Sequence, residues 1–245
     1  MHRSPRYRFE IKNHELDPRK RVPLGVLYGF LQEAADMHAT SLGFDSGTML
    51  RKNLVWMLVR VHLRLEGGLV DRQVIEVDTW PAKVESRFAY RDYRIYREGE
   101  AKPFGAATST WILIDITRNR PAVVTGLFAP EYHQDADRAH ELPIPTLGAV
   151  GPEISGRTFP VRRSDIDLNG HVNNLHYVEW LAESVPFEVW DAHTVSELYV
   201  EFKKQVRFGE TVTSSVFSAG PLAFAHRMAS DGQGGEILAG FTRWQ

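Results

Sequence analysis

Cysteine is absent from the 245 residues, so disulfides, thiolate metal sites and a cysteine nucleophile are excluded at once. Long apolar runs are missing too. The longest, Leu54-Val55-Trp56-Met57-Leu58-Val59, falls far short of the about 20 residues that a membrane-spanning helix needs. Met1 to Asn13 is polar and has no apolar segment of the secretory kind, so the expectation is a cytoplasmic protein with no targeting segment. Charge of one sign is not in excess: 29 basic residues face 31 acidic ones, and the sequence pI is near 6.6. That balance argues against nucleic acid as a partner. Neither G-x-G-x-x-G nor G-x-x-x-x-G-K-[ST] occurs, and no cofactor is expected. What is present, 43% hydrophobic and 24% charged residues, suits a folded globular chain of one large domain or two small ones.

The chain carries an internal repeat. Asp17-Pro18-Arg19-Lys20-Arg21-Val22 recurs in outline as Asp167-Leu168-Asn169-Gly170-His171-Val172, an offset of 150 from Asp17 to Asp167. Phe88-Ala89-Tyr90-Arg91 is echoed by Phe224-Ala225-His226-Arg227, and Thr110-Trp111 loosely by Arg243-Trp244. Three echoes in one order point to duplication. Each copy reads as a lead-in, one helix and four strands.

In the first copy Val26, Leu27, Phe30, Leu31, Ala34 and Ala35 give the spacing of an amphipathic helix over Pro23–Leu42. Strand-like runs follow at Leu54–Leu65, Val74–Trp80, Arg87–Tyr96 and Gly105–Ile116. In the second copy the helix spans Val172–Val185, and strands are expected at Glu197–Val206, Thr211–Ser218, Ala223–Met228 and Glu236–Arg243. Residues 126–155, with Pro143, Pro145, Gly148, Gly151 and Pro152, read as a linker between domains at 1–125 and 156–245.

Two candidate sites are weak. Ser46, in Gly43-Phe44-Asp45-Ser46-Gly47, is one place late for a nucleophile elbow and reads as a loop residue. His133, Asp135, Asp137, His140 and Glu141 cluster in the linker without a rigid metal-binding spacing, so no metal site is expected. His38, on the first helix, reads as a satisfied buried or edge histidine. The informative segment is 165–180, where polar residues gather ahead of an apolar helix whose first N–H groups can polarise a carbonyl. Asp167, Asn169 and His171 alternate there, and an extended backbone would point all three to one side. They offer a base or nucleophile, an orienting group and an acid, enough for acyl transfer without a metal. The competing reading is a turn at Asp167 or Asn169 with Asn173 or Asn174 capping the helix. Because the first copy holds Arg19 and Arg21 where the second holds Asn169 and His171, the fold itself does not demand the latter pair.

Asp167-Leu168-Asn169-Gly170-His171-Val172-Asn173-Asn174, with Tyr177, Trp180, Glu183 and Pro186, resembles the D-x-N-x-H-V-N-N-x-x-Y-x-x-W-x-x-E-x-x-P motif of the plant and bacterial acyl-ACP thioesterases. Trp56-Met57-Leu58-Val59-Arg60, Asp78-Thr79-Trp80-Pro81, Arg91-Asp92-Tyr93 and Thr110-Trp111 extend the similarity over nearly the whole chain. The resemblance implies an α+β fold of two hotdog domains in tandem, each a long central helix wrapped by an antiparallel sheet. It implies hydrolysis of fatty acyl-ACP to free fatty acid and carrier protein in fatty acid biosynthesis. By carry-over Asp167, Asn169 and His171 are catalytic. Gln205, which stands where plant members have a glutamate, is counted with them as a residue to hold a water or the substrate carbonyl, and the helix-start amides at Val172, Asn173 and Asn174 are the expected oxyanion donors. Val206 stands in place of the cysteine that follows that glutamate.

The acidic carrier protein implied as partner would be met by Arg19, Lys20, Arg21, Lys203 and Lys204, with Arg162, Arg163 and Arg207 nearby in sequence. Leu27, Phe30, Leu31 and Ala34 are candidate walls of an acyl tunnel as well as core. Two rivals are a hotdog acyl-CoA thioesterase and a non-catalytic acyl- or carrier-binding protein, the second motivated by Gln205. Tandem duplication makes a monomer feasible, and a homodimer is equally compatible.

Overall fold

The computed structural model describes residues 6–67, 74–127, 138–139, 144–145 and 151–245. Its elements in chain order are β1 (Arg6–Glu10), α1 (Leu24–Ser41), α2 (Ser46–Arg51), β2 (Leu54–Leu65), β3 (Val74–Glu85), β4 (Phe88–Arg97), β5 (Gly105–Asp115) and the short β6 (Arg120–Pro121). The second half follows with β7 (Glu153–Pro160), α3 (Asn174–Glu183), α4 (Phe187–Ala192), β8 (Val195–Phe202), β9 (Thr211–Gly220), β10 (Ala223–Ser230) and β11 (Gln233–Trp244). One antiparallel sheet runs in the order β1-β3-β4-β5-β2-β8-β11-β10-β9-β7, with β6 on β5. Read inward from either edge, the two halves have the same strand order. Each wraps its own helix, which is the expected tandem hotdog.

α1 forms because Leu24, Leu27, Tyr28, Leu31, Ala34, Ala35 and His38 fall on one face and are all buried. The offset of 150 holds in its packing. Phe9 stacks on Phe30 with ring centroids 5.0 Å apart, and their equivalents Phe159 and Trp180 stack at 5.5 Å. The two helices cross where Gly25 faces Glu179 and Gly29 faces Leu175, two pairs that the same offset exchanges. A Cβ on Gly25 would lie 2.5 Å from Glu179 Cγ, so only glycine allows this approach. The crossing is antiparallel, which places the N-termini of α1 and α3 at opposite ends of the pair.

The halves join along β2 and β8, from Arg60 opposite Glu201 to Arg64 opposite Glu197. An Arg60–Glu201 ion pair of 2.8 Å and a His62–Glu197 contact of 2.9 Å fasten the seam. Core residues from both helices and both half-sheets belong to one apolar cluster.

Several expectations are corrected. β7 begins at Glu153, inside the expected linker, because its ladder to β9 is made by main-chain bonds that leave no apolar alternation. α2 and α4 are too short for periodicity to reveal. Ser46, read as a loop residue, opens α2, which Asp45 caps through Thr48 N–H at 2.9 Å. β8 ends at Phe202, so Gln205 and Val206 lie beyond it in a loop. Ala89 pairs with Trp111 and Ala225 with Phe241, so the residue equivalent to Trp111 is Phe241 and the Trp244 echo is coincidental. His133, Asp135, Asp137, His140 and Glu141 lie outside the described residues.

Candidate active site

The approach to α3 is built as a copy of the approach to α1. A one-turn 3-10 helix, Arg163–Asp165, has Asp165 reaching back to Arg162 N–H at 2.8 Å, as Glu15 reaches Lys12 N–H at 2.6 Å in the first half. Burial alone would raise the Asp165 carboxyl, but its hydrogen bonds from Arg162 outweigh this and hold it below the usual carboxylate range. The chain then turns tightly through Asp167–His171. The segment is therefore not extended, and the expected alternation of side chains to one side does not occur.

The two turns share their bonds. Asp167 N–H donates to His171 O at 2.8 Å and Gly170 N–H to Asp167 O at 3.1 Å, matching Asp17 to Arg21 O at 2.9 Å and Lys20 to Asp17 O at 2.8 Å. Asp167 Oδ1 accepts from Asn169 N–H (2.8 Å) and His171 N–H (3.3 Å), as Asp17 Oδ1 accepts from Arg19 and Arg21 N–H (2.9 and 2.8 Å). Gly170 and Lys20 both take the left-handed conformation, with φ of 79° and 61°. One carboxylate oxygen of each aspartate thus shapes its turn, which the competing reading of the sequence expected at Asp167 and not at Asp17.

The second oxygen separates them. Asp17 Oδ2 accepts from Arg21 Nε at 2.7 Å, which neutralises it. Asp167 Oδ2 meets only the Asn169 side-chain amide, at 3.4 Å, and no cation pairs with it among the described residues. His171 has a buried Nδ1 with no partner among the described residues, an imidazole face left for a ligand. Asn169 is exposed.

The oxyanion donors expected at Val172 and Asn173 are corrected by the structure. Val172 N–H donates to Val206 O at 2.9 Å and Asn173 N–H to Asp165 O at 2.8 Å, so both amides are occupied. Asn173 is the cap, with its Oδ1 accepting from Leu175 N–H at 3.0 Å. Asn174, the first residue of α3, keeps the helix-end N–H that the helix itself cannot satisfy.

Gln205 is exposed, and its carbonyl accepts from Gln233 Nε2. Its neighbour Val206 does the anchoring: besides the bond to Val172, its N–H donates to the buried Tyr177 hydroxyl at 3.1 Å. Burial pushes that hydroxyl well above its ordinary value, and the Glu210 and Asp167 carboxylates add to the effect. Tyr177 therefore stays a neutral phenol holding the 203–210 loop against α3. Glu210 accepts from Arg207 N–H at 2.9 Å and from Ser230 Oγ, a network the sequence reading missed because Ser230 lies on β10, twenty residues on.

The basic residues divide. Arg21, half-buried, donates to the carbonyls of Trp190 (3.0 Å), Asp191 (3.3 Å) and His193 (3.0 Å) at the end of α4, and Arg19 pairs with Asp191. These two fasten α4 to the start of α1; Arg21 is taken up by these bonds, while Arg19 stays exposed. Lys20 is exposed beside them. Lys203 pairs with Glu236 and Lys204 with Gly234 O, both on the loop that touches α3, with Arg207 exposed next to them.

Of the expected tunnel residues, Leu31 and Ala34 are core and Phe30 stacks on Phe9. A cavity of about 160 Å³ opens one turn further along α1, lined by Ala35, Ala39, Leu42, Trp56 and Trp111. Arg91 stands at its wall, held by His38 Nδ1 at 3.0 Å and Thr79 Oγ1 at 3.2 Å, so His38 is the satisfied histidine that was expected.

The family model described as the acyl-ACP thioesterase N-terminal domain matches residues 3–132, and the one described as its C-terminal domain matches residues 152–245. The oleoyl-acyl carrier protein thioesterase 1 of Arabidopsis thaliana, chloroplastic, is 24% identical over 99% of this chain and 76% of its own length. The chloroplastic dodecanoyl-[acyl-carrier-protein] hydrolase of Cinnamomum camphora is 26% identical over 97% of this chain and 66% of its own. Among solved structures, an acyl-ACP thioesterase from Bacteroides thetaiotaomicron superposes with a TM-score of 0.87 at 24% identity, covering 98% of this chain and 97% of that one. The 12:0-ACP thioesterase from Umbellularia californica gives 0.80 at 22%, covering 98% and 96%. The structural likeness carries the fold. With both domain models matched in order along a duplicated sheet, the chain belongs to the acyl-ACP thioesterase family and is a thioester hydrolase.

Proposed function

We propose that this thioesterase hydrolyses fatty acyl-ACP at the Asp167–His171 turn, with the carrier protein docking over the second half of the chain. The observation that carries the reading is that, among the described residues, Asp167 Oδ2 has no cation and the buried His171 Nδ1 has no partner, where the duplicate turn has an ion pair. Asp167 takes a proton from water as the oxygen attacks the thioester carbonyl. The oxyanion is held by Asn174 N–H, in the positive field of the α3 N-terminus, and by the Asn169 amide. His171 protonates the departing pantetheine thiolate as the C–S bond breaks. Free fatty acid and carrier protein thiol are the products.

The first turn of α3 meets α1 at Gly29, and the acyl chain is assigned to the cavity further along α1, at Ala35 and Ala39. Lys203, Lys204 and Arg207 give the 203–210 loop a basic edge for the acidic carrier. No described helix is long and apolar enough to cross a membrane. The cytoplasmic location expected from the sequence belongs to the same proposal. Free-acid release from acyl-ACPs of C8 to C18, with matching acyl-CoAs alongside, tests the reading. Faster release from carrier protein, lost in Asp167→Asn, supports it; near-full activity in that variant sinks it.

A further inference from the structure

A cavity of about 640 Å³ lies where the start of α1 meets the later part of α3. Asp17, Arg21, Leu24 and Leu27 line it, and the offset of 150 carries these onto Asp167, His171, Asn174 and Tyr177. It therefore occupies, beside α1, the place that the proposed reacting centre occupies beside α3. No residue of 167–177 lines it. We propose that this cavity is a second, non-hydrolytic acyl site, which takes a single aliphatic chain with an uncharged polar head.

Volume, wall chemistry and charge support this together. The volume falls within the about 300–1,000 Å³ of small-molecule sites. Leu24, Leu27, Leu65, Phe159, Trp180 and Trp244 make the wall apolar. Each methylene buried against such a wall strengthens binding roughly fourfold. Among the described residues the lining cations are paired, Arg21 with Asp17 at 2.7 Å and Arg162 with Asp165 at 2.8 Å, while Glu183 meets Arg157 at 3.7 Å and Glu179 meets His176 at 2.8 Å. A carboxylate head would find no unpaired cation and would face Glu179 and Glu183. A neutral head finds His193 and Thr194 in the lining as hydrogen-bonding groups. Chemistry is absent because the aspartate is neutralised and the guanidinium of Arg21 is tied to the carbonyls at the end of α4.

The test is titration of the full chain with 1-dodecanol and with dodecanoate, followed by calorimetry and by the fluorescence of Trp180, Trp190 and Trp244, all of which line the cavity. Ala182→Phe and Thr194→Phe each fill it from a half-buried wall position. Dodecanol is expected to bind about tenfold more tightly than dodecanoate, and about tenfold more weakly to either variant than to the parent, with kcat/KM for acyl-ACP within about twofold. If one variant fails to fold, the other carries the test. Equal dodecanol affinity in parent and folded variants overturns the proposal, as does a loss of kcat/KM that parallels the loss of binding. Dodecanoate binding as tightly as the alcohol overturns the choice of head group. The binding readout needs no turnover, so failure of the Asp167 mechanism would show separately, as an active Asp167→Asn enzyme.

Discussion

Asp17–Arg21 and Asp167–His171 are the same turn made twice. Four hydrogen bonds, a left-handed fourth residue and an exit into a helix agree between them. Only the aspartate is common to both, and the differences that set the charge of the turn are at the third and fifth positions. Arg19 and Arg21 convert the first turn into a fastener that ties α4 and the second half of the sheet to the start of α1. Asn169 and His171 leave the second turn's carboxylate without a cation. Backbone geometry thus belongs to the duplicated fold, and the proposed chemistry depends on two side chains that the fold tolerates in either form.

Replacing each aspartate by asparagine separates these roles, since asparagine keeps the side-chain oxygen that shapes the turn. Asp167→Asn is expected to lower kcat/KM about 10³-fold with little change in unfolding midpoint, measured by acyl-ACP hydrolysis and thermal melting. Asp17→Asn should do the opposite: turnover per folded molecule is kept, while denaturant unfolding shows a loss of about 3 kcal/mol, because Arg21 loses its partner in a half-buried setting. Equal effects of the two substitutions on activity would break the comparison. His171→Ala is expected to cost about 10²-fold in kcat/KM and to shift the pH profile of the reaction.

A second pair of equivalent positions sharpens the contrast. Tyr90 on β4 is half-buried, whereas His226 on β10 is enclosed, with Nε2 on Thr242 Oγ1 at 2.8 Å and Nδ1 unpartnered among the described residues. Burial pulls His226 from its ordinary 6.5 down to about 3. The unfolded chain therefore binds the proton first, and stability falls as pH drops below about 6.5 towards the folded value. From pH 7 to pH 5 the loss is roughly 2 kcal/mol at about 1.36 kcal/mol per pH unit. His226→Leu should flatten that acid limb in urea unfolding at the two pH values. The smallest effect is expected from Lys203→Glu with Lys204→Glu: a few-fold rise in KM for acyl-ACP, unchanged kcat and a weaker salt dependence. A kcat effect instead would place the 203–210 loop in the reaction rather than at its edge.

Much of this was legible before any coordinates. α1 was readable because a long stripe of leucine and alanine at helical spacing reports burial on one face. β2 was readable because its bounds coincide with a run of branched and aromatic residues. The repeat was readable in Asp17 and Asp167 because a turn held by its own carboxylate requires that residue in both copies. β1 and β7 were not readable. As edge strands they owe their place to pairing with β3 and β9, and their exposed side chains carry little pattern.

The site divides in the same way. Asp167, Asn169 and His171 stand out in the sequence because local polarity ahead of an apolar helix is a short-range property. Which amides at the start of α3 are already occupied depends on Asp165 and Val206, the second brought there from beyond β8. The basic residues show the limit best: Arg21 reads as a surface cation, yet its partners Trp190 to His193 are some 170 residues away in the chain. Periodicity and turn chemistry act between neighbours in sequence, so the chain alone determined the helices, most strands and the motif. The bonds of Arg21 to the end of α4, the amide held by Val206 and the cavities arise between residues that meet only after the chain has folded back on itself, and those the tertiary structure alone decided.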